Sequence, residues 1–166
     1  MRLNEAGQVI PRDNESFSFF WDQMSSVQNL QDIVEGDPEV DLDAMIASAD
    51  FDYWGSEKRK KLFISVLEDL AEEGEGLQIT EKPLNRLLRF FTGSYTAPVG
   101  GWESLREEYR APLSFTLTST YGKKCAPLKG KTCFNELIIP KGCVKNKKTL
   151  KNIIKESTAS MGFGMD

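Results

Sequence analysis

A change of hydrophobic period divides this chain and constrains its fold more than any other feature. Through Phe91 the apolar residues recur at helical spacing, whereas from Leu113 they alternate with polar ones. The first periodic segment runs from Phe17 to Val34, with Phe20, Trp21, Met24, Val27 and Leu30 in phase, and Gly36-Asp37-Pro38 breaks it. Leu42 to Ala49 predicts a second, shorter helix. Glu57 to Ala71 predicts a third, with Leu62, Phe63, Val66, Leu67 and Leu70 on one face. A Glu/Gly-rich loop, Glu72 to Gly76, leads to a fourth over Pro83 to Phe91. Proline suits a first helical turn there, and Gly93 is placed to stop the helix. Leu113, Phe115 and Leu117 then alternate with Ser114, Thr116 and Thr118, the pattern of a half-buried strand. Leu137 to Ile139 predicts a second strand, and Thr149 to Glu156 a last helix with Leu150, Ile153 and Ile154 inward. Helices first and strands later predict an α+β fold.

At 166 residues, 40% hydrophobic and 28% charged, the chain suits one globular domain with a real core. No apolar run approaches the length needed to span a bilayer, and the N-terminus lacks a secretory pattern. Three cysteines, an odd number without a CxxC pair, argue against a disulfide framework and point to a reducing cytoplasmic or nuclear location. Histidine is absent, which removes Cys-His dyads, Ser-His triads and most zinc sites. Cysteine spacings of eight and ten residues fit no common zinc pattern either, so neither metal nor cofactor is expected. The net charge of -4 hides a polarity: residues 1–110 hold 11 Lys+Arg against 22 Asp+Glu, and residues 111–166 hold 10 Lys against 3 acids. The basic second half contains no arginine, the preferred reader of bases, so a solvated face or a protein-docking surface is favoured over nucleic acid.

The run Lys131-Thr132-Cys133-Phe134-Asn135-Glu136-Leu137-Ile138-Ile139-Pro140 sets a thiol at the mouth of an apolar strand, after a polar approach through Lys129 and Gly130. Thiolate is the nucleophilic form, and nearby cations favour it. Lys131 at about 4 Å in water-like dielectric would supply only ~1 kcal/mol. Thr132 has two readings: a hydroxyl or backbone N–H donor toward an oxyanion, or a residue chosen to start a strand. Asn135 reads as a turn-closing residue before a substrate contact. Trp54, Trp102, Phe90 and Phe91 read as packing residues.

Four blocks in order resemble the C-terminal lobe of HECT-type ubiquitin ligases. They are Pro38-Glu39-Val40-Asp41-Leu42-Asp43; Phe91-Thr92-Gly93-Ser94 with Ala97-Pro98-Val99-Gly100-Gly101-Trp102; Thr132-Cys133-Phe134-Asn135 with Leu137 and Pro140; and the closing Gly162-Phe163-Gly164-Met165-Asp166. The resemblance implies a small sheet packed with helices over residues 39–166. It also implies a hinge at 36–38, and a helical segment at 1–35 that is a remnant of, or substitute for, the end of the N-lobe. Lys131 stands where the family commonly carries histidine, and Pro127-Leu128 stands where Leu-Pro is usual.

For activity, the same resemblance implies an enzyme that accepts ubiquitin as a thioester on Cys133 and passes it to a substrate lysine. Thr132 and Asp166 would assist the chemistry, and Lys131, Phe134, Asn135 and Phe163 would contact the partners. Asp166 resembles acidic C-terminal ends that orient the incoming lysine, and Phe163 an aromatic that docks on the other lobe. Implied partners are ubiquitin, a ubiquitin-conjugating enzyme, a protein substrate and an N-lobe supplied in trans. A non-catalytic module binding ubiquitin or complete ligases is the alternative, with a nucleic-acid adaptor third. Cys125 and Cys143 lack the family context and are set aside as nucleophiles.

Overall fold

A computed structural model describes residues 39–98, 100–106, 111–119 and 124–159. The helix expected over Phe17 to Val34, the hinge at 36–38, Phe163 and Asp166 lie outside the described residues. Helix α1 (Leu42–Ser48) starts at Asp41, whose carboxylate accepts the Ala44 N–H at 2.9 Å. Strand β1 (Asp50–Asp52) follows, then α2 (Glu57–Glu72), which buries Phe63, Val66, Leu67 and Leu70 as its spacing predicts. Helix α3 (Pro83–Thr92) carries proline in its first turn and ends at Gly93, whose φ of 85° only glycine adopts cheaply. A 3₁₀ turn (Trp102–Arg106) leads toward β2 (Ser114–Thr118), β3 (Lys129–Lys131), a second 3₁₀ turn (Thr132–Phe134), β4 (Glu136–Pro140) and α4 (Lys147–Ala159).

The four strands form one mixed sheet in the order β1-β2-β4-β3. β1 and β4 both run parallel to β2, while β3 pairs antiparallel with β4. Leu113, Phe115 and Leu117 are buried, as the alternation requires, and Leu137 and Ile139 of β4 join them. Phe115 packs against Phe51 of β1, Phe63 of α2 and Phe91 of α3, and burial of one such ring is worth roughly 1.5–3 kcal/mol. Trp54 is buried beside them and its Nε1–H donates to the Phe115 carbonyl at 2.7 Å. Trp102 and Phe91 are buried and Phe90 is packed at the edge of the core.

Three features depart from the sequence reading. Strands β1 and β3 were not legible, because Asp-Phe-Asp and Lys-Gly-Lys carry too little apolar pattern to show a strand. The disfavoured disulfide is present: Cys125 is bonded to Cys143, with Cα atoms 4.4 Å apart. Its physical reason is the β3–β4 hairpin. The two cysteines flank it, Cys125 four residues before Lys129 of β3 and Cys143 three residues after Pro140 of β4, so pairing of the strands brings them together. Third, three of the ten lysines of the basic second half are paired with acids at the end of α2. On α4, Lys147 pairs with Asp69 at 2.7 Å, Lys151 with Asp69 and Glu73 at 3.2 and 2.6 Å, and Lys155 with Glu73 at 2.5 Å. These bonds hold the Asp69 and Glu73 carboxyls below their usual range, chiefly through Lys147 and Lys151 respectively, and Glu73 in turn raises Lys151.

Candidate active site

The 3₁₀ turn Thr132–Phe134 forms the tip of the β3–β4 hairpin and carries Cys133, an exposed free thiol. Three attachments fix where that tip sits. The first is Gly130 in β3. A β-carbon there would lie inside the Phe90 carbonyl group, 2.9 Å from its carbon and 3.0 Å from the Phe91 Cα. Only glycine lets β3 approach the end of α3 this closely. The second is Thr132, whose side chain backs onto Gly93, the cap of the same helix.

Asn135 is the third. Its backbone is left-handed, at φ 48° and ψ 37°, a region asparagine tolerates better than most side chains. Its N–H points back to the Thr132 carbonyl at 3.4 Å and closes the turn. Its Nδ2 donates to the Ala111 carbonyl at 2.8 Å, and its own carbonyl accepts the Ser114 N–H at 3.0 Å. The turn is thereby tied to the start of β2 from both sides of one residue. The turn-closing reading of Asn135 agrees with this geometry. The reading of Thr132 as the start of a strand does not, because Thr132 begins the 3₁₀ turn.

Lys131 requires a correction. Its ammonium lies 2.6 Å from the Glu136 carboxylate across the hairpin, where the two residues are register partners. That hydrogen bond lowers the Glu136 pKa from its ordinary value against the opposing effect of burial. A cation already committed to a carboxylate gives a nearby thiolate less than the ~1 kcal/mol expected of it alone. Phe134, which follows Cys133 in the turn, is 62% exposed. The sequence reading missed Gly130 and Glu136. A glycine inside a polar approach to a strand and an acid five residues after Lys131 were the available signals.

Cys133 lies outside both the cleft lined by Val40, Leu70, Lys82 and Asn85 and the one lined by Tyr53, Thr116 and Lys141. Among the described residues no helix is long and apolar enough to cross a membrane.

The family model described as HECT-domain (ubiquitin-transferase) matches residues 14–165. The probable E3 ubiquitin-protein ligase HECTD2 of Homo sapiens is 33% identical over 140 residues, which cover 84% of this chain and 16% of that protein. The E3 ubiquitin-protein ligase UPL1 of Arabidopsis thaliana is 26% identical over 163 residues, 98% of this chain and 4% of that one. The E3 ubiquitin-protein ligase TOM1-like of Neurospora crassa is 26% identical over 138 residues, 82% of this chain and 3% of the relative. The chain thus spans a small part of the length of each of these relatives.

Proposed function

The chain belongs to the HECT ubiquitin-transferase family, and from that premise we propose that Cys133 accepts ubiquitin as a thioester and delivers it to a lysine of a protein substrate. The observation that carries this reading is the free, exposed Cys133 on a turn anchored at Gly130, Thr132 and Asn135, while the other two cysteines are bonded to each other.

In the first step the Cys133 thiolate attacks the carbonyl of the thioester joining ubiquitin to a conjugating enzyme. A new S–C bond forms, the old one breaks, and the conjugating enzyme's cysteine leaves as thiolate. One thioester replaces another, so the exchange is nearly balanced and little activation of the thiol is needed. In the second step a neutral lysine amine attacks the Cys133 thioester. An N–C bond forms, the bond to sulfur breaks, and the proton lost by nitrogen passes to a base, the role we assign to the Asp166 carboxylate. Thr132 offers its hydroxyl or N–H to the oxyanion of each step. Phe134 and Phe163 are contact residues for the protein partners, and a second lobe joined to this one or supplied in trans recruits the conjugating enzyme.

The test supplies the 166-residue chain with charged conjugating enzyme and ubiquitin and looks for a reductant-labile adduct by gel. The adduct is expected in the wild type and in Cys143→Ala, and absent from Cys133→Ala. Its loss from Cys125→Ala, with retention in Cys133→Ala, would overturn the assignment.

A further inference from the structure

The Cys125–Cys143 bond joins the two ends of the segment that carries Cys133. Between those cysteines lie β3, the 3₁₀ turn and β4, so the bond closes the base of the hairpin whose tip holds the free thiol. The two residues differ in exposure: Cys125 is exposed, whereas Cys143 is 0% exposed. Lys124, also exposed, precedes Cys125 and favours the approach of an anionic thiolate. We propose that Cys125 is a thiol–disulfide exchange site for a low-molecular-weight thiol, and that its bond to Cys143 sets how firmly the Cys133 hairpin is held.

The exchange balances without a further reagent. A thiolate attacks Cys125 Sγ, the bond to Cys143 breaks, and Cys143 leaves as thiolate and takes up a proton. A second thiol then attacks the mixed disulfide, releasing Cys125 as a thiol and the reagent as its own disulfide. Attack falls on Cys125 because it is the exposed residue of the pair. Reduction loosens the hairpin without unfolding the domain, since other anchors persist. Leu128 stays buried with its N–H on the Ser157 Oγ at 3.1 Å, and Gly130 stays packed on Phe90. The further consequence, faster loading of Cys133 in the bonded form, rests on the proposed function.

The test equilibrates the full chain in glutathione buffers of graded poise, then traps thiols with iodoacetamide under denaturing conditions and maps them by mass spectrometry. At oxidising poise Cys125 and Cys143 should be protected from the reagent. At reducing poise both should alkylate, and at intermediate poise a glutathione adduct should appear on Cys125 and not on Cys143. Hydrogen exchange of residues 129–140 should rise several-fold on reduction, and equally in Cys125→Ser without reductant, while α2 is unchanged. Alkylation of Cys125 and Cys143 at every poise, an adduct on Cys143 instead, or hairpin exchange indifferent to redox state would each overturn the proposal. Redox-dependent hairpin exchange with no ubiquitin adduct in either state would support the exchange site and count against the proposed function alone.

Discussion

Gly130 lies against Phe90 so closely that any side chain at position 130 would collide with the backbone of α3. The obstacle is a peptide group of a helix, not the movable end of a side chain, so it cannot simply step aside. Gly130→Ala should therefore destabilise the domain by about 1–3 kcal/mol, the usual cost of overpacking, and shift the Cys133 turn away from α3. Chemical denaturation measures the first effect and the rate of ubiquitin loading the second. A fully stable Gly130→Ala that loads at the wild-type rate would mean that this contact does not position the turn.

Asn135 combines a conformational and a hydrogen-bonding role, and two substitutions separate them. Asn135→Ala loses the bond to the Ala111 carbonyl and places an ordinary residue in left-handed backbone, for a combined cost of about 2 kcal/mol. Asn135→Gly keeps the backbone easy and loses only the bond, so it should cost less. Urea midpoints of the two variants check the order; the reverse order would remove backbone strain from the account.

Phe134, the residue after Cys133, is exposed and contributes little to the folded core. Phe134→Ala should change stability by less than about 0.5 kcal/mol, the range of surface changes, yet slow the transfer of ubiquitin to Cys133. A variant that loses several kcal/mol, or one that loads as fast as the wild type, contradicts the contact role.

The ion pairs between α2 and α4 predict a specific pH response. Asp69 and Glu73 have folded pKa values lowered by their lysine partners, and Glu136 has one lowered by Lys131. A lowered carboxyl pKa contributes stability that is present above the unfolded value and lost as pH falls through the folded one. Lys151 is shifted upward, so its contribution is lost only when pH rises above the ordinary lysine range. Stability should therefore hold through neutral pH and fall as pH drops below about 4. These pairs are partly exposed, so each adds little, and ~1 M salt at neutral pH should weaken them. Urea midpoints across pH for wild type and Lys151→Ala provide the check, and an identical acid response in both would remove the network from the explanation.

Much of the fold was readable because local pattern and tertiary packing agree. The apolar face of α2 and the alternation of β2 report burial directly, and the glycine stop of α3 reports a left-handed helix end. Strand β3 was not readable, because Lys-Gly-Lys becomes a strand through pairing with β4 and close packing on α3, neither of which leaves a local period. The disulfide went unread for the same reason, since it is the pairing of the strands that Cys125 and Cys143 flank that brings the two together. At the candidate site, Cys133 and the turn role of Asn135 were legible from residue type and order. The commitment of Lys131 to Glu136 was not, because a cross-strand pair exists only once the strands have paired.

The central claim is that position 133 is where ubiquitin becomes attached, and an oxyester trap tests it most directly. Cys133→Ser should replace the labile thioester by a bond that survives reductant, and proteolysis with mass spectrometry locates the modified position. The account predicts the ubiquitin remnant at position 133 and no modification at Cys125 or Cys143. A reductant-stable remnant on any other residue, or a wild-type adduct that persists in Cys133→Ala, would contradict it.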